Sequence, residues 1–155
     1  MLDVLQSPAS NPGSAHWAGR RAADLVRRAR EQVGVLTGRS PSSVVFTAGA
    51  TEANNLVLRG LRPLRSRGDS ARRAIVSART EHPSVLATLQ DLAADGATVH
   101  LVDVDQDGCV DLDHLRALVN DTTLLVSLMA ANNETGVLVD LAQATEIAHE
   151  AGALF

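Results

Sequence analysis

Apolar residues recur along this chain in two alternating rhythms, short near-continuous runs and longer stretches spaced by three and four. Between residues 15 and 36, Trp17, Ala18, Ala22, Leu25, Val26, Ala29, Val33 and Leu36 keep the helical spacing and predict an amphipathic helix ending near Gly38. Ser14, closing the turn Asn11-Pro12-Gly13-Ser14, is its expected N-cap, and the residues up to Pro12 read as irregular. Trp17 reads as a packing residue of that helix rather than a stacking platform.

Farther on, Val44, Val45, Phe46 and Thr47 predict a short strand that runs through Ala48-Gly49-Ala50 into a helix opening at Thr51 and stopping around Gly60. Residues 62–73, rich in arginine and containing Pro, Gly and Ser, read as a surface connection. A buried strand is expected at 74–78. A helix follows Thr80-Glu81-His82-Pro83, with Pro83 in its first turn, Leu86, Leu89 and Leu92 facing the core, and Gly96 at its end. Residues 98–104 predict another strand, then the turn Asp105-Gln106-Asp107-Gly108 and a short helix capped by Asp111 or Asp113. That turn lacks the full twelve-residue ligand pattern of a calcium loop. The almost continuous apolar run at 122–130 suits the middle of a parallel sheet. Asn132-Asn133-Glu134-Thr135-Gly136 breaks it, a last helix spans 141–151, and Ala153-Leu154-Phe155 begins a further strand. Strands alternating with helices across short loops predict an α/β domain with a mostly parallel sheet.

Composition narrows the class. At 155 residues, 45% hydrophobic and 21% charged, the chain can bury one sizeable core and does not have a disordered composition. A net charge near −4 gives no electrostatic basis for binding nucleic acid or an anionic membrane, and Arg20, Arg21, Arg27, Arg28 and Arg30 read as a solvated helix face. No apolar run approaches the roughly 18 residues of a membrane span, and the start lacks a signal-peptide core. The single cysteine, Cys109, has no partner for an internal disulfide, so a cytoplasmic location is the expectation. All fourteen basic residues are arginine. The chain therefore has no lysine amine with which to form a Schiff base.

Candidate chemistry lies where ligands sit in open α/β sheets, outside the carboxyl ends of the strands. Gly49-Ala50-Thr51 enters a helix whose first turn offers N–H groups to an anion; an ordinary β-to-α turn is the competing reading. It is not a Walker A loop, which requires Gly-Lys-Ser/Thr after its spacer. His82 offers a ring and Asn133 an amide, although the first can be a plain helix-terminal histidine and the second a plain turn residue. Together they suit a planar, phosphorylated cofactor.

The blocks NPGSAHWAGRRA, VVFTAGATEANNLVLRG, TEHPSVL, DQDGCVDLDHL and LLVSLMAANNETGVLVD, in this order over nearly the whole chain, resemble the cysteine desulfurases. These belong to the class V aminotransferase family of fold-type I pyridoxal-phosphate enzymes. The resemblance implies an α/β large-domain portion, with residues 1–13 as an irregular lead-in and residues 14–155 as a partial cofactor-binding domain. It implies that Ala50 and Thr51 bind the cofactor phosphate. His82 would stack over the pyridine ring and assist proton transfer, and Asn133 would lie near the cofactor O3′ and the substrate carboxylate. Asn11 and His16 match a motif at the active-site rim. Pyridoxal 5′-phosphate is the implied cofactor and L-cysteine the implied substrate. A sulfur-acceptor protein and a second copy of the chain are the implied partners, and no metal site is implied. The family's aspartate for the pyridinium nitrogen, its Schiff-base lysine and its persulfide cysteine have no counterparts here, and Cys109 does not match the nucleophile. The chain alone is thus expected to be inactive, either as part of a desulfurase, with a selenocysteine lyase or another class V member as variants, or as a non-catalytic module or half of a split enzyme. Exposed apolar surface or an open sheet edge, and with it self-association, is also expected.

Overall fold

The computed structural model describes residues 2–7, 10–61 and 72–155. They fall into two compact units, residues 1–48 and 49–155. In the first, the expected irregular start contains a one-turn helix, α1 (Leu2–Leu5), and the long helix α2 spans Trp17–Thr37. Gly38 ends α2 in the left-handed conformation, φ 64°. Ser14 is not its N-cap. The Ser14 N–H closes the preceding turn onto Asn11, and His16 caps instead, its Nδ1 accepting from the Gly19 N–H at 3.3 Å. A Cβ on Gly19 would stand 2.2 Å from the Ser14 carbonyl oxygen, so the chain passes too close there for any side chain.

The apolar stripe of α2 is present in sequence but not buried within this unit. Only Gly19 and Gly34 are buried, and Trp17 is 69% exposed, contrary to its reading as a packing residue. Trp17, Leu25, Val4 and Leu5 line an open apolar groove of about 400 Å³. The five early arginines are exposed, and Arg27 pairs within its own helix with Glu31 at 2.7 Å. The strand expected at Val44–Thr47 does not form. Pro41–Ser43 make a 3₁₀ turn capped by Ser40, and the next four residues join no ladder, with Val45 and Phe46 exposed. An apolar β-prone tetrapeptide becomes a strand only where a neighbour supplies hydrogen-bonding groups.

The second unit begins with α3 (Ala50–Gly60) and continues β1 (Ala74–Ala78), α4 (Pro83–Ala94), β2 (Thr98–Val102), α5 (Leu112–Leu118), β3 (Thr123–Ser127) and α6 (Leu141–Glu150). Most of the predicted arginine-rich connection lies outside the described residues. Both strand pairings are parallel, in the order β2-β1-β3. β1 thus has a strand on each side, and all five of its residues are buried. β3 is shorter than expected and has β1 on one side. On its other side Leu154 bridges in parallel to Leu125, as the start of a strand at 153–155 predicts. β2 ends at Val102 rather than 104, because Val104 turns away to bridge antiparallel to Val110.

Alternation along β1 divides the core. Ile75 packs with Leu58, Val85, Leu89 and Leu92 on the α3–α4 face. Val76 packs with Val102, Leu115, Val126 and Ile147 on the α5–α6 face. In α4 the core positions are Val85, Leu89 and Leu92, while Leu86 is half-buried and lines a groove beside Val99 and Leu101 of β2. Asp111 and Asp140 cap α5 and α6, each accepting an N–H three residues on.

Candidate active site

The sheet order creates a specific place for a ligand. The connection leaving β1 runs through α4 to β2, whereas the connection leaving β3 runs through α6 to Leu154 on the opposite side. The carboxyl ends of β1 and β3 are thus neighbours whose following chains diverge. Such a topological switch point leaves a crevice that the following loops line. Thr80-Glu81-His82 follow β1, and Met129 to Asn133 follow β3.

Two hydrogen bonds join these loops. Glu81 is 7% exposed, and its Oε1 accepts from the Met129 N–H at 2.5 Å. Asn132 Nδ2 donates to the Thr80 carbonyl at 3.2 Å. Burial pushes the Glu81 carboxyl above its ordinary value of 4.5, opposed in part by the N–H groups of Met129 and His82. Asn132 also folds its own turn, its Oδ1 accepting from Glu134 and Thr135 N–H at 2.9 and 3.0 Å. The turn holds Asn133 at an exposed position.

His82 is the N-cap of α4, with Pro83 at N1. Its Nδ1 accepts from the Ser84 N–H at 3.1 Å, and the residue is exposed. His82 thus caps the helix while the residue stays exposed. Ala50 and Thr51 occupy the exposed first turn of α3. Their N-cap, Gly49, is extended (φ 168°), provides no side-chain cap, and has no atom within 4 Å of where a Cβ would be. The first turn of α3 thus offers exposed residues and the positive end of the helix dipole. Of the three stretches expected to leave strands, only those after β1 and β3 do so; Gly49-Ala50-Thr51 follows irregular chain.

Asn11 and His16 serve local structure in the first unit. Asn11 Oδ1 accepts from the Gly13 N–H at 2.8 Å, and His16 caps α2. Sequence reasoning missed Glu81, Asn132, Asn54 and Ser84. Glu81 and Asn132 adjoin residues singled out for chemistry, which is the one signal they carried. Among the described residues, no group of three His, Cys, Asp or Glu side chains is placed to hold a metal ion, and no helix is long and apolar enough to cross a membrane.

The residues present fit two parts of pyridoxal phosphate. A helix N-terminus with exposed first-turn residues, Ala50 and Thr51, suits a dianionic phosphate, and an exposed ring and amide beside the switch point suit a planar heterocycle. An amine for its aldehyde is not supplied, since the sequence contains no lysine.

The chain belongs to the aminotransferase class-V family, which matches residues 1–155. It is 37% identical over 155 residues to a cysteine desulfurase of Azotobacter chroococcum, covering all of this chain and 38% of that protein. It is 40% identical over 147 residues to the cysteine desulfurase IscS of Histophilus somni, covering 94% of this chain and 35% of that one. Among solved structures, a NifS-like protein superposes with a TM-score of 0.88 at 36% identity, covering 97% of this chain and 41% of that chain. The fold is that of the matching portion of a fold-type I pyridoxal-phosphate transferase. The chain spans less than half the length of the relatives it matches.

Proposed function

We propose that this chain is the phosphate- and ring-binding portion of a pyridoxal-phosphate cysteine desulfurase, with residues 14–155 as part of the large domain. In this reading the first turn of α3, at Ala50 and Thr51, receives the cofactor phosphate. His82 covers the ring, and Asn133 lies near the ring oxygen and the substrate carboxylate. When bound, the cofactor supplies the electron sink for chemistry on L-cysteine. The protein orients it and excludes water. The complete activity would release alanine, leave sulfur on an enzyme cysteine, and pass it to an acceptor protein in iron–sulfur cluster or other sulfur-transfer pathways. A cytoplasmic homodimer is the expected setting.

The observation that carries this reading is the tied pair of loops, bearing His82 and Asn133, at the switch point between β1 and β3. Relatives named cysteine desulfurases support the choice of reaction. Since the chain has no lysine, the 155-residue polypeptide alone binds the cofactor without a covalent bond and releases no sulfide from cysteine.

Equilibrium binding tests the phosphate assignment. Pyridoxal phosphate should bind more tightly than pyridoxal, and Gly49→Asp should weaken it tenfold or more, a loss of about 1.4 kcal/mol. The introduced carboxylate caps the helix and repels the anion, while stability holds or rises by a few tenths of a kcal/mol. Equal affinity of the parent chain and G49D would refute the assignment.

A further inference from the structure

The His82 ring is held by a chain of polar groups that starts on α3. A backbone N–H can only donate, so the Ser84 N–H on Nδ1 requires a lone pair on that nitrogen. The neutral ring then carries its proton on Nε2. Ser84 Oγ lies 2.8 Å from the same Nδ1. Asn54 Nδ2 donates to Ser84 Oγ at 2.9 Å, which leaves the serine hydroxyl hydrogen to point at the ring. Every link runs in one direction, from amide to hydroxyl to imidazole.

Asn54 lies on α3 three residues after Thr51, so the chain joins α3 to the ring. A polar seam continues it along the two helices. Thr88 Oγ1 lies 3.0 Å from Asn55 Oδ1 and 2.8 Å from the Ser84 carbonyl. Arg59 donates to Asn55 Oδ1 at 2.9 Å and to Asp91 at 2.7 Å. Beneath it, Leu58 packs with Val85 and Leu89. α3, with Thr51 in its first turn, and α4, with His82 at its N-terminus, are therefore held together as one body.

We propose that Asn54 and Ser84 are positioning residues for His82: the serine hydroxyl, oriented by Asn54, joins the Ser84 N–H as a second donor on Nδ1, which holds the ring in place and strengthens its preference for the tautomer protonated on Nε2. The group that the positioned ring covers is the cofactor in the function proposed above, and to that extent the inference rests on it. Without the chain, Nδ1 keeps only the backbone donor and the ring loses its second tether.

Ring-nitrogen NMR of the ¹⁵N-labelled, cofactor-free 155-residue chain tests this, with His82 assigned through His82→Gln. The parent should show one tautomer, Nδ1 bare and Nε2 protonated. Asn54→Asp places an acceptor where the donor was, draws the serine hydrogen away, and presents an oxygen lone pair to Nδ1. A fraction of the Nδ1-protonated form should then appear, in competition with the Ser84 N–H. Ser84→Ala should broaden the ring signals through motion, and Ser84→Thr should restore the parent pattern. Backbone spectra separate these effects from loss of fold, and if N54D does not fold the Ser84 pair decides alone. A proton on Nδ1 in the parent, or identical ring signals in all folded variants, overturns the proposal. Because no cofactor is present, this result is independent of whether pyridoxal phosphate binds at α3.

Discussion

Glu81 offers a perturbation whose two parts can be separated. Its carboxylate is buried between the loops after β1 and β3 and accepts N–H groups from Met129 and His82. Glu81→Ala removes both acceptors. His82 is exposed and water can replace its lost partner, but Met129 is half-buried and its N–H would be left unsatisfied. An unsatisfied buried donor costs about 1–3 kcal/mol, which is the expected loss of unfolding free energy. Glu81→Gln keeps an oxygen for Met129 and removes the charge. Burial raises the Glu81 pKa above 4.5 in the folded chain, so the folded state binds this proton more tightly than the unfolded state. The associated stabilisation is fully present below the unfolded value and is lost as pH rises through the folded one. The parent chain should therefore lose stability relative to E81Q over that window, with a limiting slope of about 1.4 kcal/mol per pH unit for one proton. Urea unfolding followed by circular dichroism at successive pH values measures both effects. Parallel stability curves for parent and E81Q, or an E81A chain as stable as the parent, would refute the reasoning.

Other outcomes follow from the same geometry. Leu115, fully buried where α5 meets the sheet, should lose about 2–5 kcal/mol on replacement by alanine, read by the same unfolding assay. Gly152 has φ 70°, and a Cβ there would stand 2.9 Å from Arg72 Nη2, so Gly152→Ala should lose about 1–2 kcal/mol. Asp103 accepts from Arg79 at 2.6 Å, and this hydrogen bond holds its carboxyl below 3.8. Its contribution is present above that ordinary value and lost as pH falls through the lower folded one, so Asp103→Asn should flatten the acid limb of the stability curve. Sedimentation of the chain should show association at micromolar concentration, driven by exposed Trp17, Val35 and Leu36; a monodisperse monomer would count against this.

The second unit was legible because local and global signals agree there. Apolar runs at β1 and β3, Pro83 at the start of α4, and capping aspartates at α5 and α6 each suffice to place an element. Val44–Thr47 shows the limit: β propensity was readable, but the partner that makes a strand was not. Trp17 shows another, since helical spacing defines an apolar face without naming what covers it. The central position of β1 depends on strand order, which hydrophobicity does not encode. At the site, His82, Ala50, Thr51 and Asn133 could be singled out by residue type and position. The side chains that hold His82 could not, because Asn54 and Ser84 lie thirty residues apart and meet only through the packing of α3 on α4.

Residue-resolved titration of the ¹⁵N-labelled chain with pyridoxal phosphate tests the central claim most directly. The account predicts that the amides of Ala50 and Thr51 and the His82 ring respond together, with one shared affinity, and that Gly49→Asp abolishes the response. Saturable shifts confined to other residues, with Ala50, Thr51 and His82 unmoved, would contradict it.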